Sequence, residues 1–514
     1  MRLGFALLMG ILASAQPDRH CAACHPKEVV GYAQTAMAQS LTPTGSAAVV
    51  PDGTFEHAAS GTKFSIRSNA SGMWQKLERQ GEAAEERVAY VIGSGKHAFG
   101  YLIETDGHIF QSPLSYYTNR GLWDVAPGYE QDAHPDFSRP VTLECLLCHS
   151  GRPLPVASTL NGYRPGGFSA YAISCDRCHG PVEAHLKNPA PGSIINPAKL
   201  GAAARDSVCE QCHLKGEARI PNPGKELSDF VPGQPVENSF TTYVTAPADS
   251  EGIKVVSHVE QLARSVCARK SEGKLWCGTC HDPHNKPAHA TEYFRERCLT
   301  CHAAKLEKAH AAPGRDCVAC HMPRTDATDG GHTAFTDHRI ARFPGPELGS
   351  ASADTLTAWR QPEPPLRSRN LALALATVGM ENQSSNEVIR GYKMLNQLEK
   401  QFQNDPVVLN SLGSILLRAK EAQEALKRFQ KVVVLRPDYA PYQANLAAAL
   451  LAAGDKTGAT EHLEKALELD PLLQPAVELL SHLYREGGQT AKADELTARY
   501  RKAMGIVIAA PRKT

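Results

Sequence analysis

The cysteines of this 514-residue chain recur in a single pattern, Cys-x-x-Cys-His, which occurs seven times and uses 14 of the 15 cysteines. The pattern lies at Cys21, Cys24 and His25; at Cys145, Cys148 and His149; at Cys175, Cys178 and His179; at Cys209, Cys212 and His213; at Cys277, Cys280 and His281; at Cys298, Cys301 and His302; and at Cys317, Cys320 and His321. Two thiols three positions apart on one helical turn reach the two vinyl groups of a porphyrin as thioethers, and the adjoining histidine then stands over the iron. The pattern therefore predicts seven covalently attached c-type haems, with these cysteines as attachment points and these histidines as proximal iron ligands.

Other uses of paired cysteines explain the pattern less well. A structural zinc site joins two Cys-x-x-Cys corners or adds distant histidines, and an odd number of corners cannot pair off. Disulfides and redox-active dithiols account for paired cysteines in an oxidising compartment, but they do not account for seven adjoining histidines. We therefore favour haem, with zinc binding or disulfide formation as the alternatives.

An apolar leader precedes the first motif. Residues 1–15 have a basic start, an apolar run from Leu3 to Ala13 and an Ala-x-Ala ending at Ala15, which is typical of a cleaved signal peptide. The alternative is an uncleaved membrane anchor, but the run is shorter than the ~20 residues that span a bilayer. No later segment is apolar enough to form a membrane span. We therefore expect a periplasmic or secreted protein.

The composition limits both the partners and the core. The formal net charge is +1, from 55 basic and 54 acidic residues, so nothing indicates a nucleic-acid partner. Aromatic residues make up 6% of the chain, which also contains 40 glycines and 35 prolines. Side chains alone therefore provide little material for a large core. We expect closely packed haems to form the interior of residues 16–343, the predicted heptahaem cytochrome c domain.

The rest of the chain divides by its patterning. The interval from about 42 to 141 has no attachment motif, and its short alternating runs, such as TKFSIRS and RVAYVIG, predict a small β-rich insertion. Residues 344–366 are rich in proline and predict a linker. A repeat with a period of about 34 residues follows, in which small and apolar residues recur in register, and it predicts tetratricopeptide (TPR) helical hairpins over residues 367–510. Such a stack offers a groove for another protein, and the alternative is a spacing element without a partner.

Sixth ligands distinguish an electron carrier from a catalyst, because an iron held by two histidines has no open position. Fourteen histidines lie outside the motifs, more than seven irons require. His284 follows His281 by three residues, too close to reach the opposite face of the same porphyrin, so it would serve a neighbouring haem. Met37 is another candidate ligand, with packing against a porphyrin as the alternative. The remaining cysteine, Cys267, is predicted to be a buried apolar thiol, with a reactive thiol near a haem as the alternative.

Several longer stretches, among them GSGKHAFGYL, CDRCHGPVEAH and CGTCHDPH, resemble the bacterial multihaem cytochromes related to cytochrome c-554. More narrowly, the chain resembles secreted members of this superfamily that carry C-terminal TPR repeats. The resemblance implies bis-histidine haems, with distal ligands at His57, His97, His134, His185, His284, His332 and His338. The Cys-x-x-Cys-Lys motif that marks the catalytic haem of related nitrite reductases is absent from the sequence. We therefore predict a mainly α protein, in which a multihaem cytochrome c domain with a small β-rich insertion precedes a TPR α-solenoid.

Two functional classes follow from these predictions. In the first, the haems relay electrons between redox partner proteins docked by the TPR groove, and no bond chemistry occurs in this chain. In the second, the protein is an oxidoreductase that acts on a small nitrogen or sulfur species at one five-coordinate haem. We favour electron transfer.

Overall fold

The computed structural model describes residues 19–245, 253–309, 316–341 and 355–508. The predicted signal peptide and the first part of the predicted linker, through residue 354, lie outside the described residues, as does His310. Among the helices of these ranges, none has the length and apolar character that a membrane span requires.

The described strands are β1 (Leu41–Pro43), β2 (Gly53–His57), β3 (Thr62–Asn69), β4 (Gly72–Arg79), β5 (Glu82–Ile92), β6 (Phe99–Thr105), β7 (His108–Tyr117), β8 (Leu122–Val125), β9 (Arg139–Pro140), β10 (Arg152–Pro155), β11 (Tyr163–Ala170), β12 (Ala218–Pro221), β13 (Phe240–Val244), β14 (Arg324–Asp326), β15 (Ala334–Thr336), β16 (Thr357–Ala358) and β17 (Ile506–Ile508).

The described α-helices are α1 (Arg19–Ala22), α2 (Pro26–Tyr32), α3 (Leu143–His149), α4 (Asp176–His179), α5 (Glu183–Lys187), α6 (Ala202–His213), α7 (His258–Arg264), α8 (Val266–Lys270), α9 (Cys277–Cys280), α10 (Ala290–Ala309), α11 (Cys317–His321), α12 (Leu366–Glu381), α13 (Ser385–Leu398), α14 (Pro406–Arg418), α15 (Ala422–Leu435), α16 (Ala440–Ala452), α17 (Lys456–Leu469), α18 (Gln474–Glu486) and α19 (Thr490–Ala503).

An antiparallel sheet of ten strands follows the first motif. Strands β2 to β8 are paired in chain order, β1 and β17 pair with opposite ends of β5, and β9 pairs with β7. The sheet curls until β8 lies near β2, where Trp123 Nε1 donates to Pro51 O at 2.9 Å. Residues such as Phe64, Leu77 and Tyr101 fill its interior. The sequence predicted a small β-rich insertion, but the sheet is large and takes one strand from the C-terminal end.

The C-terminal part is a stack of four helical hairpins, formed by α12 to α19 in pairs. Leu412, Leu446 and Leu480, which recur at one constant spacing, occupy equivalent buried positions in successive hairpins. The helices of the first hairpin cross so closely at Gly391 that a Cβ atom there would lie 2.8 Å from Ala376 N. The repeat seen in the sequence therefore describes this solenoid of TPR type.

The first hairpin of the stack is docked on the preceding region, which carries the Cys-x-x-Cys-His motifs. Helix α12 packs against the small sheet formed by β12, β13 and β16, and Leu373 and Leu375 share a core cluster with Ile220 and Tyr243. The chain that enters α12 is also bound, because Arg360 forms ion pairs with Glu210 and Glu237 at 2.6 and 2.8 Å. The second half of the predicted linker is therefore an anchored segment.

His108 connects the large sheet to the last inter-repeat turn. Its Nε2 lies 2.9 Å from Asp470 Oδ1, and its Nδ1 lies 3.1 Å from Asp106 O. Both partners are acceptors, so both ring nitrogens donate and the imidazole is protonated. Burial by itself lowers the pKa of His108, but the hydrogen bond to Asp470 and the charge of that carboxylate raise it overall. Asp470 Oδ2 also accepts from Leu160 N at 3.0 Å, so this turn is held by two segments.

We expect H108Q to weaken this contact by about 1.5–3 kcal/mol at low pH, the usual contribution of a hydrogen bond to a charged group. Because folding raises the pKa of His108, its contribution is complete below about pH 6.5 and is lost as the pH rises through the folded-state pKa. Urea unfolding of wild type and H108Q across this range measures the difference. H482Q, a change at an exposed histidine of α18, is the matched control. A difference in unfolding free energy between wild type and H108Q that does not vary with pH would contradict a protonated His108.

Candidate functional site

All seven Cys-x-x-Cys-His motifs lie on helical turns. They occupy α1 with the turn that follows it, α3, α4, the end of α6, α9, the middle of α10, and α11. In the motifs of His25, His179 and His281, the backbone N–H of the histidine donates to the backbone carbonyl of the first cysteine at 2.8–2.9 Å. One helical turn therefore places two thiols and an imidazole on the same side of the backbone. All 15 cysteines lie within the described residues.

Four of the motif histidines lie opposite a second histidine from another part of the chain. The ring centroids are 6.3 Å apart for His25 and His185, 5.8 Å for His179 and His284, 5.7 Å for His213 and His258, and 6.2 Å for His281 and His338. His284 thus lies beside a histidine of a different motif from that of His281. Within the described ranges, no group of three or more His, Cys, Asp or Glu side chains forms a metal cluster.

The spacing of these pairs is that of two imidazoles on one metal ion. A bound imidazole nitrogen lies about 2 Å from its metal and about 1 Å from its ring centre, so two such rings on opposite sides have centroids about 6 Å apart. The ring planes are 18–26° apart in three pairs, but 87° apart in the pair of His213 and His258. His258 also lies 4.8 Å from His338, which is too short for a metal between them. The two pairs are therefore adjacent sites in direct contact.

Hydrogen bonds at Nδ1 orient several of these rings. His179 Nδ1 donates to Ile195 O at 2.7 Å, and His338 Nδ1 donates to Thr336 O at 2.8 Å. His185 Nδ1 lies 2.8 Å from Ser193 Oγ, whose own proton goes to a backbone carbonyl, so the imidazole is again the donor. A donating Nδ1 leaves the lone pair on Nε2, which is the arrangement of most metal-binding histidines.

Burial lowers the pKa of several of these histidines. His213 is exposed by its solvent-accessible area, yet the protein atoms around it lower its pKa through desolvation. Burial also lowers the pKa of His149 and His281 to about 4, and that of His258 to about 3. These imidazoles are neutral at pH 7, which is the form that binds iron. His258 Nδ1 is buried without a hydrogen-bond partner in the described structure, which marks a place for a bound group or a water.

Thiols of different motifs also contact each other. Cys148 and Cys212 share a hydrogen bond that lowers the pKa of Cys148 and raises that of Cys212. Cys209 and Cys277 form a second such pair, in which the pKa of Cys209 is raised. Groups attached to these motifs would therefore lie edge to edge, as expected for haems that share one interior.

The four other histidines that were predicted as distal ligands have different surroundings. His57 Nε2 donates to Glu130 O at 3.1 Å and its Nδ1 is bonded to Ser60 Oγ, so both ring nitrogens are engaged. His332 Nε2 lies 2.7 Å from Asp124 Oδ2, and the His332 side chain is 45% exposed. The ring of His97 lies 4.3 Å from that of Phe335, and burial lowers the pKa of His97 to about 4. His134 is exposed. None of these four rings lies against a motif histidine in the described ring contacts.

His258 was not among the seven distal ligands that the resemblance implied. It begins α7 in the run SHVEQL, and no cysteine spacing or family motif marks it. Met37 is half-buried in a short 3₁₀ turn. Cys267 is half-buried on α8, close enough to Cys280 and Cys298 to act on both thiols electrostatically. The leftover cysteine therefore lies beside the fifth and sixth motifs.

The solved structures that are similar to this chain match only part of it. No protein family and no curated protein matches the chain. Solved structures do match, and they align with about a quarter of it. A crystal structure of MamA has 20% identity over 27% of this chain and 78% of its own, with a TM-score of 0.24. MamA from Desulfovibrio magneticus RS-1 gives the same values. PilF from Pseudomonas aeruginosa has 20% identity over 26% of this chain and 59% of its own, with a TM-score of 0.23.

Proposed function

We propose that this protein is a multihaem c-type cytochrome that relays electrons through seven covalently bound haems. The observation that supports it best is the combination of seven Cys-x-x-Cys-His turns with four facing histidine pairs, whose centroids are 5.7–6.3 Å apart. Each motif would provide two thiols for attachment and one imidazole for the iron, and in four motifs the facing histidine would provide a second imidazole. Haem iron, when bound, supplies reversible one-electron oxidation and reduction.

The residues of the chain attach, orient and shield these groups. The two cysteines of each motif would hold a haem through thioether bonds, formed by addition of each S–H across a vinyl C=C bond with no leaving group. The Nδ1 hydrogen bonds of His179, His185 and His338 hold those rings with Nε2 directed away from the backbone. Two histidines on one iron leave no position for a substrate, which favours electron transfer over catalysis at these four sites.

We propose a revised set of distal ligands for four irons. His185 serves the iron of His25, His284 that of His179, His258 that of His213, and His338 that of His281. The partners of His149, His302 and His321 stay open, with His97, His134, His57 and His332 as the earlier predictions. The hydrogen bonds of His57 and His332 count against those two.

The helical stack is the proposed docking site for redox partner proteins. Its first hairpin and its last inter-repeat turn are already bound to the cytochrome region, through α12 and through Asp470. The start of α16 is bound as well, because Ala440 N donates to Ser158 O at 2.9 Å. A partner would therefore use the hairpin faces that are turned away from the cytochrome region. The predicted periplasmic or secreted location agrees with covalent haem attachment, and both stay proposals.

Intact mass and visible spectra of the purified protein test this function. Because attachment is an addition without a leaving group, a fully loaded chain gains the mass of seven complete haems. We expect this increment, and a sharp α-band on reduction, from a host with a cytochrome c maturation system. Replacing both cysteines of one motif, as in C277S/C280S, should remove one haem mass. A colourless protein, or a double variant that keeps the full mass, would overturn the proposal.

A further inference from the structure

The guanidinium of Arg219 is fixed between the second and fourth motifs. Arg219 lies on β12, and its Nη1 donates to Gln211 O at 3.0 Å. Its Nε and Nη2 both donate to Leu214 O, at 3.2 and 2.5 Å. The group also lies over the ring of Phe240, 5.7 Å from its centroid. Three carbonyl contacts and an aromatic face therefore hold this charge in one place.

This charge lies beside the attachment points of two haems. Arg219 Nη1 is 3.8 Å from Cys148 Sγ of the second motif, and the carbonyls that bind it belong to the fourth motif and the residue after it. Its charge also lowers the pKa of His213 and acts on the Cys212 thiol. No ion pair of Arg219 is present in the described structure. Its charge does act on the buried Glu260 carboxyl, but burial raises the pKa of Glu260 to about 7 overall. This carboxyl therefore offsets the positive charge of Arg219 only in part.

We propose that Arg219 raises the reduction potentials of the haems attached to the second and fourth motifs. This inference rests on the proposed function. A ferric haem carries one more positive charge than a ferrous haem, so a fixed cation disfavours the ferric form. The effect is strong because the site is partly buried and has a low effective dielectric. Electrons on this chain would then settle preferentially near motifs two and four, where the thiols of both motifs are in contact.

The geometry of the His213 pair makes one of these haems measurable by itself. Low-spin ferric haems with perpendicular axial imidazoles give a strongly anisotropic electron paramagnetic resonance signal, whereas near-parallel imidazoles give a rhombic one. The planes of His213 and His258 are 87° apart, and those of the other three pairs are 18–26° apart. An anisotropic signal that is present in wild type and absent from H258G therefore belongs to the fourth-motif haem, and its disappearance during reductive titration reports the potential of that haem.

We expect R219Q to lower this midpoint by an amount equal to at least a tenfold change in the reduction equilibrium, about 59 mV for one electron. R219M removes the same charge and serves where R219Q folds poorly. R219K keeps the charge but loses the fork geometry, and its midpoint should stay near wild type. R164Q, at an exposed arginine of β11, controls for a change in net charge.

The possible results distinguish a failure of the Arg219 proposal from a failure of the cytochrome proposal. An unchanged midpoint in R219Q and R219M, with all seven haems attached by mass, overturns the role of Arg219 and leaves the cytochrome proposal intact. Equal midpoint shifts in R219Q and R219K also overturn the role of the Arg219 charge. R219K keeps this charge, so equal shifts would come from the lost hydrogen bonds to the backbone carbonyls. A protein without attached haem fails at the level of the proposed function.

Discussion

H258G should convert one haem of the loaded protein from low-spin to high-spin and remove the strongly anisotropic ferric signal. His258 lies opposite His213, with ring centroids 5.7 Å apart, so glycine would leave one axial position of that iron empty. One haem of the seven should lose its second histidine ligand completely, and this loss does not require a change in fold. Low-temperature electron paramagnetic resonance of the oxidised protein measures it, and free imidazole added to H258G should restore the low-spin signal.

H57G is the matched control for this experiment. His57 was implied as a distal ligand by family resemblance, but its ring nitrogens are bonded to Ser60 and Glu130. We expect H57G to leave every spin state unchanged. A high-spin signal in H57G together with an unaltered spectrum in H258G would reverse the assignment. A high-spin signal already present in the fully loaded wild type would instead favour the oxidoreductase alternative.

R369M should destabilise the protein by about 3–5 kcal/mol, the usual cost of leaving one partner of a buried ion pair uncompensated. Arg369 is fully buried on α12, and its Nε donates to Asp405 Oδ2 at 2.7 Å. Its Nη1 also donates to Pro221 O at 2.7 Å, which joins the helical stack to the region that carries the Cys-x-x-Cys-His motifs. Asp405 in turn caps α14, where its Oδ1 accepts from Val407 N and Val408 N. One side chain therefore supports two repeats and the interface with β12.

Denaturant unfolding followed by circular dichroism measures this cost. R485M is a suitable control, because Arg485 forms an exposed pair with Asp494 at 3.2 Å, and such pairs contribute at most about 1 kcal/mol. In the double variant R369M/D405N the buried charge is gone, so part of the lost stability should return. Equal losses in R369M and R485M would contradict an important buried pair.

The interface around Arg369 also changes the interpretation of the repeats. A regular period of the TPR type predicts helical hairpins, and such stacks commonly bind other proteins. Here the stack binds its own chain at both ends, through α12 on the β12–β13 sheet and through Asp470 on His108. These contacts join residues that are far apart in the chain, so no local pattern indicates them.

The proposed attachment chemistry follows from local sequence. A cysteine, a second cysteine three positions later and an adjoining histidine occupy one helical turn, and every motif lies on such a turn. Their function depends only on this spacing, because the peptide backbone sets the distance between the groups. The hairpin repeats are predictable for the same reason, since leucines that recur at a constant spacing must take equivalent positions in equivalent units.

The histidine pairs do not follow from local sequence, because each pair joins residues from separate segments of the chain. His284 is close to His281 in the chain but lies beside His179, and His258 has no motif to mark it. The sequence by itself determined which side chains attach haem in the proposed function and where the repeats begin. Only the tertiary structure decided which imidazoles face each other, because two rings meet across the width of one metal site only when separate segments are packed together. The same packing decided that β17 joins the first sheet and that the helical stack is bound to its own chain.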